Sequence, residues 1–96
     1  MIFLELVPRQ LDTLIANSSK FLNQFAALTG INIPDVKRID IRSYTATEAL
    51  LAQNITAIPH IRTQDDSIAT HLDRLSQLYT NGLRHVLFIS GDVIKD

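Results

Sequence analysis

The chain has 96 residues, 10.8 kDa, with no cysteine, no tryptophan, three glycines and three prolines, which is enough for one domain with a modest core and too little for several. Nine Lys+Arg against ten Asp+Glu give a formal charge of -1, a balance that does not mark a dedicated polyphosphate partner. Without cysteine, disulfides and the usual thiolate zinc sites are excluded, and a reducing compartment is the natural setting.

Met1-Ile2-Phe3-Leu4 is broken at once by Glu5, Pro8 and Arg9, with no cationic stretch before it and no small-residue cleavage pattern after it. No signal peptide is read there. Later apolar runs such as Val86-Leu87-Phe88-Ile89 fall far short of the roughly 18 to 20 residues that cross a bilayer. The expectation is a cytoplasmic protein with neither a membrane nor a nucleic acid as partner.

Ile2-Phe3-Leu4-Glu5-Leu6-Val7 is β-branched and apolar and is stopped by Pro8, so it reads as the first strand. From Leu11 the apolar positions Leu14, Ile15, Phe21, Leu22, Phe25 and Leu28 follow helical spacing, which predicts a first helix to about Leu28 with Gly30 as its exit. Gly30-Ile31-Asn32-Ile33-Pro34-Asp35 is a short apolar run ended by proline, read as a second strand or the exit of one. Val36 to Ile41 alternates apolar and charged residues and competes as a half-exposed strand. Thr45 and Glu48 have capping-box spacing, which predicts a second helix from about Ala46 to Gln53. Ile55 to Ile61 reads as the third strand, its ladder ending near residue 58 because of Pro59. Asp65, Asp66 and Ser67 are alternative N-caps of a third helix with the stripe Ile68, Leu72, Leu75, Leu78 and Tyr79, stopped at Asn81-Gly82. His85 to Ile89 has the unbroken apolar character of a parallel strand covered on both faces.

The order β-α-β-α-β-α-β predicts an α/β fold of parallel strands joined by helical crossovers. Four strands in this length can form only half of a TIM (β/α)₈ barrel, if the barrel reading is right, with a small flavodoxin-like open sheet as the competitor. The strand ends of a parallel sheet share one edge, where such folds build sites. Glu5, Asn32, Asp35, His60 and Asp92 lie at those ends. Glu5 is either a water-facing carboxylate or a general acid or base. Asp92, after Gly91, either caps a turn or accepts hydrogen bonds from ring nitrogens or hydroxyls. His60 serves a ligand or holds its loop. His71 and His85 read as structural, and the three histidines lack metal-ligand spacing. Arg9, Arg38, Arg42 and Arg62 border strand-like runs; they grip an anion if their loops converge and are otherwise solvated. No dinucleotide or P-loop glycine pattern, GxSxG elbow or HExxH motif is present.

Phe3-Leu4-Glu5-Leu6-Val7-Pro8, Ile58-Pro59-His60-Ile61-Arg62 and Val86-Leu87-Phe88-Ile89-Ser90-Gly91-Asp92, in that order and spacing, resemble the first half of the methylenetetrahydrofolate reductase superfamily. The resemblance implies a flavoprotein oxidoreductase of one-carbon metabolism, in which a barrel carrying FAD passes a hydride between NADH or NADPH and a folate. It implies that Glu5 protonates a folate nitrogen, that Asp92 of the Gly-Asp motif lies by the flavin and tunes it, and that His60 stands near that cofactor. Asn32-Ile33-Pro34-Asp35 is similar to a divergent branch, with Asn32 available to a flavin edge. Ser90 stands where many members have arginine, which removes a cation from the cofactor's surroundings.

The resemblance spans nearly the whole chain but half of the family's barrel. Residues 1-96 are therefore expected to be a single partial-barrel module, a fragment or a split-barrel subunit, completed by homodimerisation or by a missing C-terminal half. The alternative expectation is a noncatalytic half-barrel assembly or cofactor-binding module, inactive without that half or a partner.

Overall fold

Short β-branched runs separated by helical stripes leave each strand's end far from the next strand's start. The chain must therefore cross over and pair its strands in parallel. The computed structural model, which describes residues 1–90, does this three times. Its elements are β1 (Ile2–Glu5), α1 (Leu11–Gln24), β2 (Leu28–Ile33), α2 (Ser43–Leu51), β3 (Ala57–Arg62), a 3-10 turn (Thr63–Asp65), α3 (Ile68–Thr80) and β4 (Leu87–Ile89).

The strands form one sheet in the order β1-β2-β3-β4, every pair parallel. This order separates the two architectures that the sequence leaves open. A flavodoxin-like sheet places its first strand between the second and third, whereas here each crossover advances one strand in the same direction, as in half of a (β/α)₈ barrel. The core lies on one side of the sheet, where Leu14 of α1 and Ala46 and Leu50 of α2 meet Ile31, Ile33 and Ala57, with Leu4 and Leu6 packed against them. On the same side His71 of α3 meets the ring of Phe88, the β4 residue paired with Ile61.

Several boundaries differ from the sequence expectation for identifiable reasons. The first helix ends at Gln24, not Leu28, because Phe25 is already extended at φ -123 and ψ 97. Leu28 then opens β2, and Gly30 lies inside that strand rather than at a helix exit. A Cβ at Gly30 would stand 2.6 Å from the Thr56 carbonyl oxygen and 3.0 Å from the Phe3 ring. The strand requires glycine for close approach, not for a turn.

The segment from Val36 to Ile41 is a loop, not a strand, and Arg42 fastens it by donating to the carbonyls of Val36, Lys37 and Ile39. The second helix starts at Ser43, ahead of the expected capping box. Its first amide donates to Asp35 Oδ1 at 2.8 Å, so the cap comes from eight residues upstream. The third strand continues through Pro59 to Arg62. Pairing with β2 ends at Ile33 opposite Pro59, and pairing with β4 begins at His60. Proline is tolerated there because it falls where the ladder changes partner. Ser67 caps α3 by accepting from the Thr70 amide at 3.1 Å, and Gly82 follows the helix at φ 114.

The last strand is shorter than expected and is not covered. Leu87, Phe88 and Ile89 are 48%, 46% and 37% exposed, because β4 is an edge strand with no further layer over it in the chain described. No helix among the described residues is long and apolar enough to cross a membrane.

Candidate functional site

Paired residues of a sheet face the same way, and residues two apart along a strand share a face. Leu4 and Leu6 pack into the core, so Phe3 and Glu5 face away from it. By the same parity Ile31 and Ile33 turn inward and leave Gly30 and Asn32 on the opposite face. Buried Ala57 and Ile61 put Ile58, His60 and Arg62 there too. The register agrees, with Glu5 opposite Asn32 and Asn32 opposite Ile58.

Glu5, Asn32 and His60 therefore converge on the face that no helix among the described residues covers, near the C-terminal ends of their strands. Glu5 and Asn32 sit on adjacent strands about 4.8 Å apart. His60 lies one diagonal step beyond Asn32, roughly 7–8 Å away. Phe3, Gly30 and Ile58 form an apolar floor beneath them, with the Phe3 ring laid against Gly30.

Two polar atoms on this face lack partners. Asn32 Oδ1 and His60 Nε2 are both buried without a hydrogen bond, and His60 is only 9% exposed. Its backbone is fixed from the other side, since its carbonyl accepts the Ser43 hydroxyl at 2.7 Å and ties β3 to the start of α2. Glu5 is exposed at the end of edge strand β1, with no side-chain partner among the described residues. The face thus holds one unpartnered acceptor and one unpartnered imidazole nitrogen, both closed off from solvent, beside one solvent-accessible carboxylate. A heteroaromatic ring edge with its own donor and acceptor groups satisfies the first two, and the third can exchange a proton with bound substrate.

The other candidates separate from this group. Asp35 is committed to its loop, accepting from the Ser43 amide and pairing with Arg42 at 3.2 Å. Arg62 pairs with Asp65 at 3.4 Å, and Arg9 and Arg38 are exposed. Arg42 and Arg62 border one small recess, but each is paired there with an aspartate and neither Arg9 nor Arg38 joins them, so the four do not form an anion fork. Asp92 lies outside the described residues. His85 is exposed in the connection leading to β4.

His71 belongs to a cluster on the helix side. Its Nδ1 meets the Tyr44 hydroxyl at 2.8 Å, Arg74 stacks 5.1 Å above the Tyr44 ring, and Arg74 pairs with Asp66 at 2.7 Å. Burial pushes the Tyr44 phenol above its ordinary value of 10.0; Arg74 pulls it back, while Asp66 and Asp35 reinforce the rise. Tyr44 carries no motif and was not a candidate from sequence; only a contact 27 residues along the chain brings it to His71. A cleft of about 490 Å³ beside the β1–α1 connection, lined by residues including Leu6, Arg9, Gln10, Thr13 and Asn17, takes in none of Glu5, Asn32 and His60.

Among the described residues no group of three or more His, Asp or Glu converges as a metal site would require. Comparison with known proteins returns no matching family model, no matching curated protein and no matching solved structure.

Proposed function

We propose that the chain is the first half of a flavin-dependent oxidoreductase barrel of the methylenetetrahydrofolate reductase type, working on a folate-like substrate in one-carbon metabolism. The observation that carries this reading is the placement of Glu5, Asn32 and His60 on one uncovered sheet face with two buried polar atoms unpartnered. Asn32 and His60 would hold a flavin ring, Asn32 Oδ1 as an acceptor and His60 Nε2 as a second polar contact, and Phe3 and Ile58 would supply apolar surface. When bound, FAD supplies two-electron chemistry between NADH or NADPH and the substrate. The chain's own residues orient the ring and substrate, and the Glu5 carboxyl delivers a proton to a substrate nitrogen.

A second reading, a noncatalytic cofactor-binding half-barrel, is favoured by the exposure of Glu5, since a carboxylate open to water lacks the enclosure that a proton-transfer site needs. Titration of the chain with FAD, followed by flavin absorbance and fluorescence, tests the shared part of both readings. Saturable binding is expected, weakened at least about tenfold by Asn32→Leu combined with His60→Leu, the loss of one to two good hydrogen bonds. Absence of saturable uptake by the assembled protein rejects both. Glu5→Gln then separates them: it preserves flavin binding in either case and lowers folate-linked turnover only if the chain is catalytic.

A further inference from the structure

We propose that the bare face and both bare edges of the sheet are closed by a second copy of this chain, β4 of each protomer meeting β1 of the other to complete eight parallel strands. The inference rests on strand order and exposed apolar surface, and its test is made without flavin.

Among the described residues, strands added in chain order leave β1 at one edge of the sheet and β4 at the other. Bare edges invite pairing. A second copy related by a twofold axis along the strands presents the same two edges in the opposite order, so one symmetry operation satisfies both seams with the correct polarity. Eight strands are also the number at which side chains can fill a closed barrel.

The flanks of the two edges are apolar in a way that one chain alone does not use. Beside β1, a groove of about 400 Å³ is lined by Ile2, Leu4, Phe21, Phe25, Ala27 and Leu28. Beside β4, Ile68, Leu72 and Tyr79 make an exposed stripe on α3, turned away from the α2-facing side that carries Arg74. Groove and stripe lie at opposite ends of one sheet, and a twofold partner brings each to the other.

The exposed area matches what a dimer needs. Ile2, Phe25, Leu72, Leu87, Phe88 and Ile89 are between 37% and 58% exposed. At roughly 150–250 Å² per fully open large side chain, they leave on the order of 600 Å² of apolar surface, divided between the two ends of the sheet. A stable interface buries about 800 Å² per partner, about two-thirds of it apolar in homodimers. A formal charge of -1 opposes self-association little. Closure would also turn the face bearing Glu5, Asn32 and His60 into a barrel interior, providing the enclosure that the open sheet lacks.

Size-exclusion chromatography with light scattering across a dilution series tests the proposal. The expected mass is twice 10.8 kDa. Leu72→Glu, on the exposed surface of α3, and Leu87→Lys, on β4, are each expected to weaken self-association at least about tenfold, the effect of losing one good contact. Leu72→Glu should keep the far-ultraviolet dichroism of the parent, which separates lost association from lost folding. A monomer throughout the series, a dimer indifferent to both substitutions, or masses climbing beyond two copies into open head-to-tail chains overturns the proposal. FAD uptake by a strictly monomeric chain would reject the dimer and leave the flavin reading standing.

Discussion

Replacing Asn32 by leucine should make the free protein more stable and its flavin complex weaker. Asn32 Oδ1 is buried with no hydrogen-bond partner, and a buried unsatisfied polar group costs about 1–3 kcal/mol. The rest of Asn32 is only half-buried, and leucine nearly matches asparagine in size, so the lower half of that range applies: a gain of about 1–2 kcal/mol. For a domain of this length, each kcal/mol moves the melting temperature by about 4–8 °C. The assay is urea and thermal unfolding of both proteins at one fixed concentration, because association would otherwise contribute to the difference. With FAD in hundredfold excess over its Kd, the parent should gain about 2.7 kcal/mol through mass action, and a variant that binds about tenfold more weakly should keep only about half of that gain at the same FAD concentration. A variant less stable than the parent by about 1 kcal/mol or more in the absence of ligand would refute the reasoning. It would mean that Oδ1 already has a partner, such as an ordered water, in the free chain.

Gly30→Ala should destabilise by about 1–3 kcal/mol, the usual cost of overpacking, because its Cβ would meet the Thr56 carbonyl at 2.6 Å with no flexible side-chain end to yield; unchanged urea unfolding would show that β2 and β3 can separate freely at that level. The raised phenol of Tyr44 means that the fold prefers the neutral form. Its contribution to stability is fully present below the ordinary value of 10.0 and is lost as pH rises through the higher folded value. Unfolding of the parent should therefore ease more steeply at alkaline pH than that of Tyr44→Phe, and parallel pH profiles for the two proteins would contradict it.

The alternation of strands and helices was legible because each crossover carries its own apolar period. What escaped the sequence was set by contacts distant along the chain. Phe25 and Leu28 continue the helical spacing of α1 although the helix stops at Gln24. A stripe records which residues are apolar, not where hydrogen bonding changes from helix to ladder. The capping box at Thr45 and Glu48 lost to Asp35 because a carboxylate eight residues upstream reaches the Ser43 amide first. Pro59 suggested a strand end, and only the change of partner from β2 to β4 explains why the strand runs past it. For the site, position near a strand end was readable and facing was not. Whether Asn32 and His60 share a face with Glu5 depends on register, and a slip of one residue would have sent Asn32 into the core.

That parity has a consequence for stability as well as for function. The two central strands, β2 and β3, turn their better-buried apolar set toward the helices, and the opposite face collects Glu5, Asn32 and His60 together with the half-exposed Leu87 and Ile89. A free half-barrel satisfies neither kind of residue there. The apolar ones face water, and two polar atoms are buried without partners. A flavin-like ring would answer the polar deficit alone, and a second sheet the apolar deficit alone. Both are met only when a ligand is held at the C-terminal mouth of a closed barrel. Binding and assembly should therefore reinforce one another: FAD added to a dissociating dilution series should shift the protein toward twice the monomer mass, as reciprocal linkage requires. A dimer whose dissociation is unaffected by bound FAD would show that the two deficits are independent.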